Sequence, residues 1–160
     1  MSPLAVSIRD ATPGDVATIV EFNRLLALES ENQLLDEPTL RRGVARALES
    51  TECCRYFLAE SAGRVVGQLM ITYEWTDWRD GVFWWLQSVY VERPARRQGV
   101  FLALAEHVKA IASQTPDVRG LRLYVEQHNH AAQETYRRLG LRPSGHILYE
   151  DDWSGAIRKP

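Results

Sequence analysis

Residues 82–91 read VFWWLQSVYV, residues 92–95 read ERPA, and residues 96–101 read RRQGVF. The first run is almost continuously apolar and aromatic, which predicts a central strand that is covered on both faces. From Gly99 to about Gln114 apolar residues recur at helical spacing, so an amphipathic helix is expected directly after the basic, glycine-containing loop. A strand, a loop and a helix in this order favour an α/β fold.

The loop at residues 96–101 has the chemistry of a phosphate site. Gly99 permits close approach to the backbone, and the first amides of the following helix have no partner within the helix. These amides and the helix dipole favour an anion, and Arg96 and Arg97 add positive charge at the same edge. The alternative is an exposed basic loop before an ordinary helix. The motifs GxGxxG and GxxxxGKS/T are both absent, so the common dinucleotide and triphosphate sites lose support.

The remaining patterns alternate between helices and strands. Thr12, followed by Pro13 and by the acid Asp15, reads as a capped helix start, and that helix is expected to run to about Glu29. Further helices are expected near residues 37–48 and 131–139. Strands are expected at residues 6–9, 55–60, 64–74 and 121–125, with one or two more over 142–153. This order predicts a mixed α/β sheet.

Composition excludes several classes of protein. A chain of 160 residues and 18.3 kDa has the usual size of one domain, which we place at residues 1–160. It is 45% apolar and 25% charged with a formal charge of −2, an ordinary globular mixture with no sign of nucleic-acid binding. No apolar run approaches the roughly 18 residues of a membrane span, and residues 1–6 lack the features of a secretory signal. The adjacent Cys53 and Cys54 are poorly placed for a disulfide, so a reducing cytoplasm is the expected location.

Asn129 and Tyr136 form a second feature. Asn129 follows the strand expected at 121–125 and stands at a helix start, where asparagine is a favoured cap. Tyr136 lies two helical turns later on roughly the same face, about 10 Å away. Both residues could instead be purely structural, with Asn129 capping the helix and Tyr136 packing in the core. Spacing leaves the two interpretations open.

Taken together, these segments resemble the GCN5-related N-acetyltransferase (GNAT) family. The acetyl-CoA motif of that family, Gln/Arg-x-x-Gly-x-Gly/Ala after a strand, corresponds here to RRQGVF at residues 96–101. A second family-like block reads VEQHNHAAQETYRRLGL at residues 125–141, and the resemblance runs from about residue 65 to 141. It implies an α+β fold with a mixed, mostly antiparallel central sheet flanked by about four helices. Phe101 departs from the small residue that ends the family motif.

The resemblance implies that acetyl-CoA is the cosubstrate. The backbone of Val89, Tyr90 and Val91 would bind its pantetheine arm, which Asn129 would also contact. The pyrophosphate would be cradled by amides in a loop with Arg96 at its edge, namely those of Arg97, Gln98, Gly99 and Val100. Phe101 retains its backbone amide at the end of this loop. Tyr136 would face the sulfur and act as general acid toward the departing thiolate.

The general base does not follow from the resemblance. Family members that act on polyamines often carry a glutamate on the central strand, and the corresponding residue here is Gln87, whose amide cannot accept a proton. Glu74 is the first candidate base, followed by Glu21 and Glu29 on the first helix. A base that works through ordered water, or no base at all, is also open.

Aromatic residues crowd the strands and turn near the candidate base. Such a group could hold an amine by cation–π contact, or could pack under helices or at a homodimer contact. We expect the acceptor near Glu21, Glu29, Trp75, Trp84 and Gln87.

The sequence therefore predicts a cytoplasmic, acetyl-CoA-dependent N-acetyltransferase. It would move an acetyl group to a primary amine of a small molecule by direct attack in a ternary complex. The alternatives are a non-catalytic acyl-CoA-binding or sensing module and an enzyme that acts on a protein amine. No metal is expected, because His128 and His130 lack a third ligand at a recognisable spacing. Neither a nucleic acid nor a membrane is expected as a partner, whereas a homodimer is compatible with the sequence.

Overall fold

The computed structural model of the chain describes residues 4–160; residues 1–3, part of the segment considered for a secretory signal, lie outside them. Within the described residues four α-helices form, near the positions that the sequence predicts: α1 (Val16–Glu31), α2 (Glu37–Glu49), α3 (Val100–Gln114) and α4 (His130–Arg138). None of these helices is both long and apolar enough to cross a membrane.

Side-chain caps set where the first two helices begin. The Asp15 carboxylate accepts hydrogen bonds from the Thr12 amide at 2.7 Å and from the Arg9 guanidinium at 2.9 Å, which closes the turn that leads into α1. Before α2, the Asp36 carboxylate accepts from the Thr39 amide at 3.1 Å. The predicted start of the first helix is thereby confirmed.

Seven strands form in the described residues: β1 (Ser7–Asp10), β2 (Leu34–Leu35), β3 (Cys54–Ser61), β4 (Arg64–Thr76), β5 (Gly81–Val91), β6 (Val118–Leu123) and β7 (Ile157–Arg158). Five of them make one sheet in the order β1-β3-β4-β5-β6, in which only the β5–β6 pair is parallel. The predicted mixed, mostly antiparallel sheet with about four helices is therefore confirmed. The short β2 and β7 pair separately, and the sequence did not indicate that pairing.

The sheet separates two apolar clusters. Leu69, Ile71 and Leu86 pack with Leu104 and Val108 of α3 on one face. On the other face α1 and α2 pack over Tyr56 and Leu58, through residues that include Ile19, Val20 and Val44. The second cluster lies over β3 and β4 and leaves one face of β5 and β6 only partly covered.

Two predictions about strands are corrected by the structure. The strand at residues 82–91 is not central, because β4 occupies the middle of the sheet, and Trp85 and Gln87 on one face of β5 are only half-buried. Residues 142–153 form no strand, so the one or two strands expected there are wrong. Gly145 and Gly155 adopt positive φ angles of 81° and 62° around that segment, where its three consecutive acids also disfavour extended pairing.

Asp15→Asn tests the cap of α1. Hydrogen bonding to the Arg9 guanidinium lowers the pKa of Asp15 from 3.8 to about 2. A lowered folded-state pKa stabilises the protein above the unfolded value and loses that effect as the pH falls toward 2. We expect the variant to lose about 1–2 kcal/mol in the free energy of unfolding at pH 7, and much less at pH 2.5.

Urea unfolding at the two pH values measures this difference. Asp10→Asn is the matched control, because its exposed ion pair with Arg55 contributes about 0–1 kcal/mol. Equal losses for Asp15→Asn at both pH values would contradict the assignment.

Candidate active site

The parallel strands β5 and β6 separate after Leu86. Their ladder runs from Val82 opposite Val118 to Leu86 opposite Leu123, and beyond it residues 87–91 pair only with β4 in the part of the chain described. The outer backbone edge of β5 is therefore unpaired by any strand over this stretch. An extended ligand can occupy such an edge through main-chain hydrogen bonds.

A bulge in β5 lies at this separation. Gln68 of β4 pairs with Tyr90 and Met70 pairs with Gln87, so two residues of β5 oppose one residue of β4. Ser88, the extra residue, has a φ of 47° in the left-handed region. The bulge changes which face of the sheet the even-numbered side chains of β5 occupy. Leu86 packs on the α3 side before it, and Tyr90 lies on the α1 side after it, against Phe22.

The glycine loop forms a cradle of backbone amides before α3. Arg97 and Gly99 have positive φ angles of 61° and 84°, and none of the amides over residues 97–101 donates a hydrogen bond within the described part of the chain. Val100, 1% exposed, anchors the first turn of α3 in the core. Gly67 makes room for it, since a Cβ at that position would lie 3.0 Å from the Val100 side chain. Free amides at a helix start fit a phosphate group.

Arg96, predicted to lie at the edge of the pyrophosphate, joins this loop to α1. Its guanidinium donates to the Glu29 carboxylate at 2.7 Å and to the Val91 carbonyl at 2.8 Å. Tyr90 and Arg93 also donate to Glu29, at 3.3 and 3.2 Å. Hydrogen bonding to Arg96 is the main reason why the pKa of Glu29 is lowered. Glu29 thus stands beside the expected cofactor loop as an ionised anchor.

Asn129 and Tyr136 lie on opposite ends of α4. The Asn129 side-chain oxygen accepts from the Ala132 amide at 3.1 Å, so this residue caps the helix. The Tyr136 ring packs edge-on against Phe101 of α3, with 5.6 Å between ring centroids. The bulky residue at the end of the glycine loop therefore supports the tyrosine. Burial raises the pKa of the Tyr136 hydroxyl, which keeps it protonated at neutral pH.

The first candidate base, Glu74, is hydrogen-bonded to side chains of the neighbouring strands β5 and β6. Its carboxylate accepts from the Trp85 indole at 2.8 Å and from Arg122 at 2.6 Å. These hydrogen bonds, the one from Trp85 first, lower the pKa of Glu74. Glu21, on α1, pairs with Arg24 at 2.7 Å, and that hydrogen bond likewise lowers its pKa. A carboxylate with a lowered pKa is a weak proton acceptor.

The residues expected around the acceptor are distributed over two faces of the sheet. Gln87 lies on the half-open face beside Trp85 and donates to the Thr72 hydroxyl at 2.8 Å. Trp84 points to the other face, where it is 5% exposed in the α3 core. Trp75 is 66% exposed on the same side as Trp84. The structure therefore brings Gln87 and Glu74 together on one surface and places both of these tryptophans elsewhere.

That half-open surface is aromatic as well as polar. Trp85 packs on Tyr124 with 4.5 Å between ring centroids, and the Arg122 guanidinium lies 3.9 Å above the Phe83 ring. Tyr124 remains half-exposed. We refer to Phe83, Trp85, Gln87, Arg122 and Tyr124 as the β5–β6 face. It adjoins the strand separation and can contact a ligand that reaches it from solvent.

Sequence reasoning missed one group of buried polar residues at the bulge. Gln68 is fully buried and hydrogen-bonds both Asn23 and the Ser88 carbonyl. The signal for it was a single amide within the apolar run at residues 65–71. The bulge at Ser88 has no comparable signal, because serine is not specific for the left-handed region.

Comparison with known proteins decides the family. Residues 20–141 match the acetyltransferase (GNAT) family, which is more than half of the chain. The chain belongs to the GNAT acetyltransferase family. The resemblance stated from the motifs is thereby confirmed, and the protein is an N-acetyltransferase whose family uses acetyl-CoA.

Solved structures resemble this GNAT acetyltransferase over nearly its full length. A possible acetyltransferase from Clostridium difficile 630 is 39% identical, covers 92% of this chain and 97% of its own, and superposes with a TM-score of 0.85. A predicted acetyltransferase with acetyl-CoA from Clostridium acetobutylicum is 15% identical over 92% and 96% of the two chains, with a TM-score of 0.74. An aminoglycoside acetyltransferase from an uncultured soil metagenomic sample is 20% identical over 93% and 98%, with a TM-score of 0.71. The curated proteins contain no match to the sequence.

In the described residues, neither a cluster of metal-ligating side chains nor a cysteine lies at the free edge of β5. Among residues 4–160, no group of three or more His, Cys, Asp or Glu side chains could hold a metal ion. The cysteines lie away from the free edge of β5, because Cys54 is on β3, two strands from β5, and Cys53 precedes it. Burial raises the pKa of the Cys54 thiol, which disfavours its nucleophilic thiolate form.

Gly99→Ala tests the amide cradle of the GNAT protein. A side chain at a φ of 84° is strained by about 1–2 kcal/mol, and relief of that strain would turn the loop amides away from their present directions. We expect the affinity for acetyl-CoA to fall about tenfold in calorimetric titration.

Gly63→Ala is the matched control for backbone strain. Gly63 has a φ of 75° in the turn between β3 and β4, and nothing lies within 4 Å of the added Cβ. This variant should lose stability but keep its affinity for acetyl-CoA. Equal affinity losses in both variants would argue against the loop as the phosphate site.

Proposed function

We propose that the protein transfers the acetyl group of acetyl-CoA to the primary amine of a small molecule. The observation that carries this proposal is the unpaired edge of β5 over residues 87–91, with the amide cradle of residues 97–101 following it in the chain. One element offers main-chain hydrogen bonds to an extended arm, and the other offers amides to phosphate. Acetyl-CoA combines both chemical groups in one molecule.

Several residues would hold acetyl-CoA. The backbone of Val89, Tyr90 and Val91 would bind the pantetheine arm, and the amides of the glycine loop would bind the pyrophosphate. Arg96 would lie at the edge of the phosphates. Its guanidinium would then either bind Glu29 and the phosphates together or leave Glu29. Bound acetyl-CoA supplies an activated thioester. Backbone amides near Val89 would stabilise negative charge that develops on the thioester oxygen.

Tyr136 is proposed as the general acid. Its phenol is protonated at neutral pH because burial raises its pKa, and no described residue hydrogen-bonds the hydroxyl. The leaving thiolate has a conjugate acid with a pKa of about 8.5, so a phenol within reach could donate its proton to it. Contact with Phe101 orients the tyrosine ring toward the start of α3.

The acceptor is proposed to arrive as the neutral amine. An amine with a pKa of about 10.4 is neutral in roughly one molecule in 2,500 at pH 7, which costs about 4–5 kcal/mol. Glu74 and Glu21 are both hydrogen-bonded by cationic side chains, and their pKa values are lowered. They gain little driving force from accepting a proton. The neutral fraction of the acceptor is therefore expected to govern the rate.

A small amine is favoured by the β5–β6 face. Trp85 and the half-exposed Tyr124 present aromatic surface that can hold an ammonium-bearing molecule by cation–π contact. The aminoglycoside acetyltransferase with the same fold is named for a class of small-molecule amines. We propose direct attack by the amine, because the cysteines lie on the β3 side of the sheet, away from the free edge. A protein amine is the second candidate acceptor, since the face is open to solvent.

Tyr136→Phe tests the general acid. Removal of the hydroxyl is expected to lower kcat about 100-fold with little change in acetyl-CoA affinity, since the ring and its contact with Phe101 remain. The rate is followed as CoA release with a thiol reagent. Tyr149→Phe, at a tyrosine that is 85% exposed, is the matched control and should match the wild type. An unchanged kcat in Tyr136→Phe would contradict the role.

The pH dependence of kcat/KM tests the neutral-amine mechanism. Two accepted amines whose pKa values differ by about two units should give ascending limbs whose midpoints differ by about two pH units. Glu74→Gln should change kcat less than threefold. A limb at one fixed pH for both amines, together with a large loss in Glu74→Gln, would instead establish a protein base.

A panel of amines identifies the acceptor class. It contains polyamines, amino acids, aminoglycosides, arylalkylamines and short peptides, each assayed for CoA release. Turnover of a small amine is the expected result. Turnover of peptides alone would favour a protein acceptor. Acetyl-CoA binding without CoA release from any amine would favour an acyl-CoA sensor.

A further inference from the structure

The bulge of β5 is held by a buried side chain. Gln68 lies within β4, and its Nε2 group donates to the Ser88 carbonyl at 3.0 Å and to the Asn23 side-chain oxygen at 2.8 Å. Asn23 in turn donates to the Tyr56 hydroxyl at 3.1 Å. Three side chains from α1, β3 and β4 are thus connected to one carbonyl of β5.

This arrangement carries two local costs. The φ of Ser88 lies in the left-handed region, which is unfavourable for a residue other than glycine. The Gln68 side-chain oxygen is buried with no hydrogen-bond partner among the described residues, which is also destabilising. A leucine at position 68 would avoid the second cost. The glutamine contributes a donor that apolar side chains lack, and this donor reaches the carbonyl of the strained residue.

The conformation of Ser88 decides which way the following residues point. Before the bulge, Trp84 and Leu86 pack on the α3 side; after it, Val89 and Val91 pack there. Tyr90 is thereby turned to the α1 side, where its hydroxyl reaches Glu29. Loss of the extra residue from the ladder would exchange the two faces over residues 89–91. The side-chain directions along the free edge and the contact of Tyr90 with Glu29 both depend on this single residue.

We propose that Gln68 is a positioning residue for acetyl transfer, because its buried amide holds the Ser88 carbonyl and so orients the backbone at Val89. The proposal rests on the function proposed above, in which the free edge of β5 binds the thioester arm. Gln68 touches no reacting atom. It acts through the backbone of β5, which it holds in the bulged form.

Gln68→Leu is the first test. The leucine removes the hydrogen bond to Ser88 and keeps the site filled with a side chain of similar size. We expect kcat to fall 10- to 100-fold, while KM for acetyl-CoA rises less than fivefold, because the amide cradle of α3 is untouched. Gln114→Leu, at an exposed glutamine at the end of α3, is the matched control and should match the wild type.

Ser88→Gly in the Gln68→Leu background separates positioning from packing. Glycine adopts a positive φ without strain, so the bulge should form again without its hydrogen bond. The double variant is expected to recover at least tenfold in kcat over Gln68→Leu. A packing defect at position 68 would not be repaired by this change at position 88. Recovery therefore supports the proposal, and its absence overturns it.

The carbon chemical shifts of Ser88 give a readout that does not depend on turnover. In the wild type they should report a left-handed backbone, in Gln68→Leu an extended one, and in the double variant a left-handed one again. Gln68→Met replaces Gln68→Leu if thermal melting shows that the leucine variant is unfolded. Wild-type shifts in a folded Gln68 variant would overturn the proposal.

The two proposals fail in different ways. If the wild type binds acetyl-CoA but acetylates no amine, the proposed function fails, whatever the Ser88 shifts show. If the wild type turns over and a folded Gln68→Leu keeps kcat within twofold, the proposed function stands and the role of Gln68 is overturned.

Discussion

The hydrogen-bonded ladder between β5 and β6 ends at Leu86, and the candidate active site exists because of that end. Beyond it, β5 continues with an unpaired outer edge, and the segment that follows β6 passes through Asn129 into α4. The separation leaves an opening in a sheet whose remaining interior edges are paired. In the proposed function, main-chain groups of β5 and the Tyr136 side chain of α4 act on one ligand.

The carboxylates of the candidate bases hold arginine side chains in place and are poorly suited to accept a proton. Glu29, Glu74 and Glu21 each accept hydrogen bonds from an arginine, and each has a lowered pKa. Glu29 in particular connects α1 with Arg96 at the edge of the amide cradle. The carboxylates thus hold cations and neighbouring elements in place. The proposed chemistry is assigned to backbone amides, to the Tyr136 phenol and to the neutral form of the acceptor.

Local patterns predicted the elements whose partners are close in the chain. The capping box at Thr12, the apolar periodicity of α3 and the helix start at Asn129 depend on contacts within a few residues. Residues 142–153 show the limit of the same reasoning, since an extended pattern becomes a strand only where another strand supplies hydrogen bonds. The two-residue strands β2 and β7 lie far apart in the chain and carry no local signal.

The sequence by itself determined the family, the glycine loop before α3 and the tyrosine of α4, because these depend on residue types at fixed short spacings. Only the tertiary structure decided that Trp84 is buried, that Glu29 anchors Arg96, and that Gln68 reaches the Ser88 carbonyl. The first depends on the pairing register of β5, the second on how α1 packs beside the loop, and the third on the one extra residue in β5. A register shift of one residue exchanges the faces of a strand without changing its composition, so no local pattern could report it.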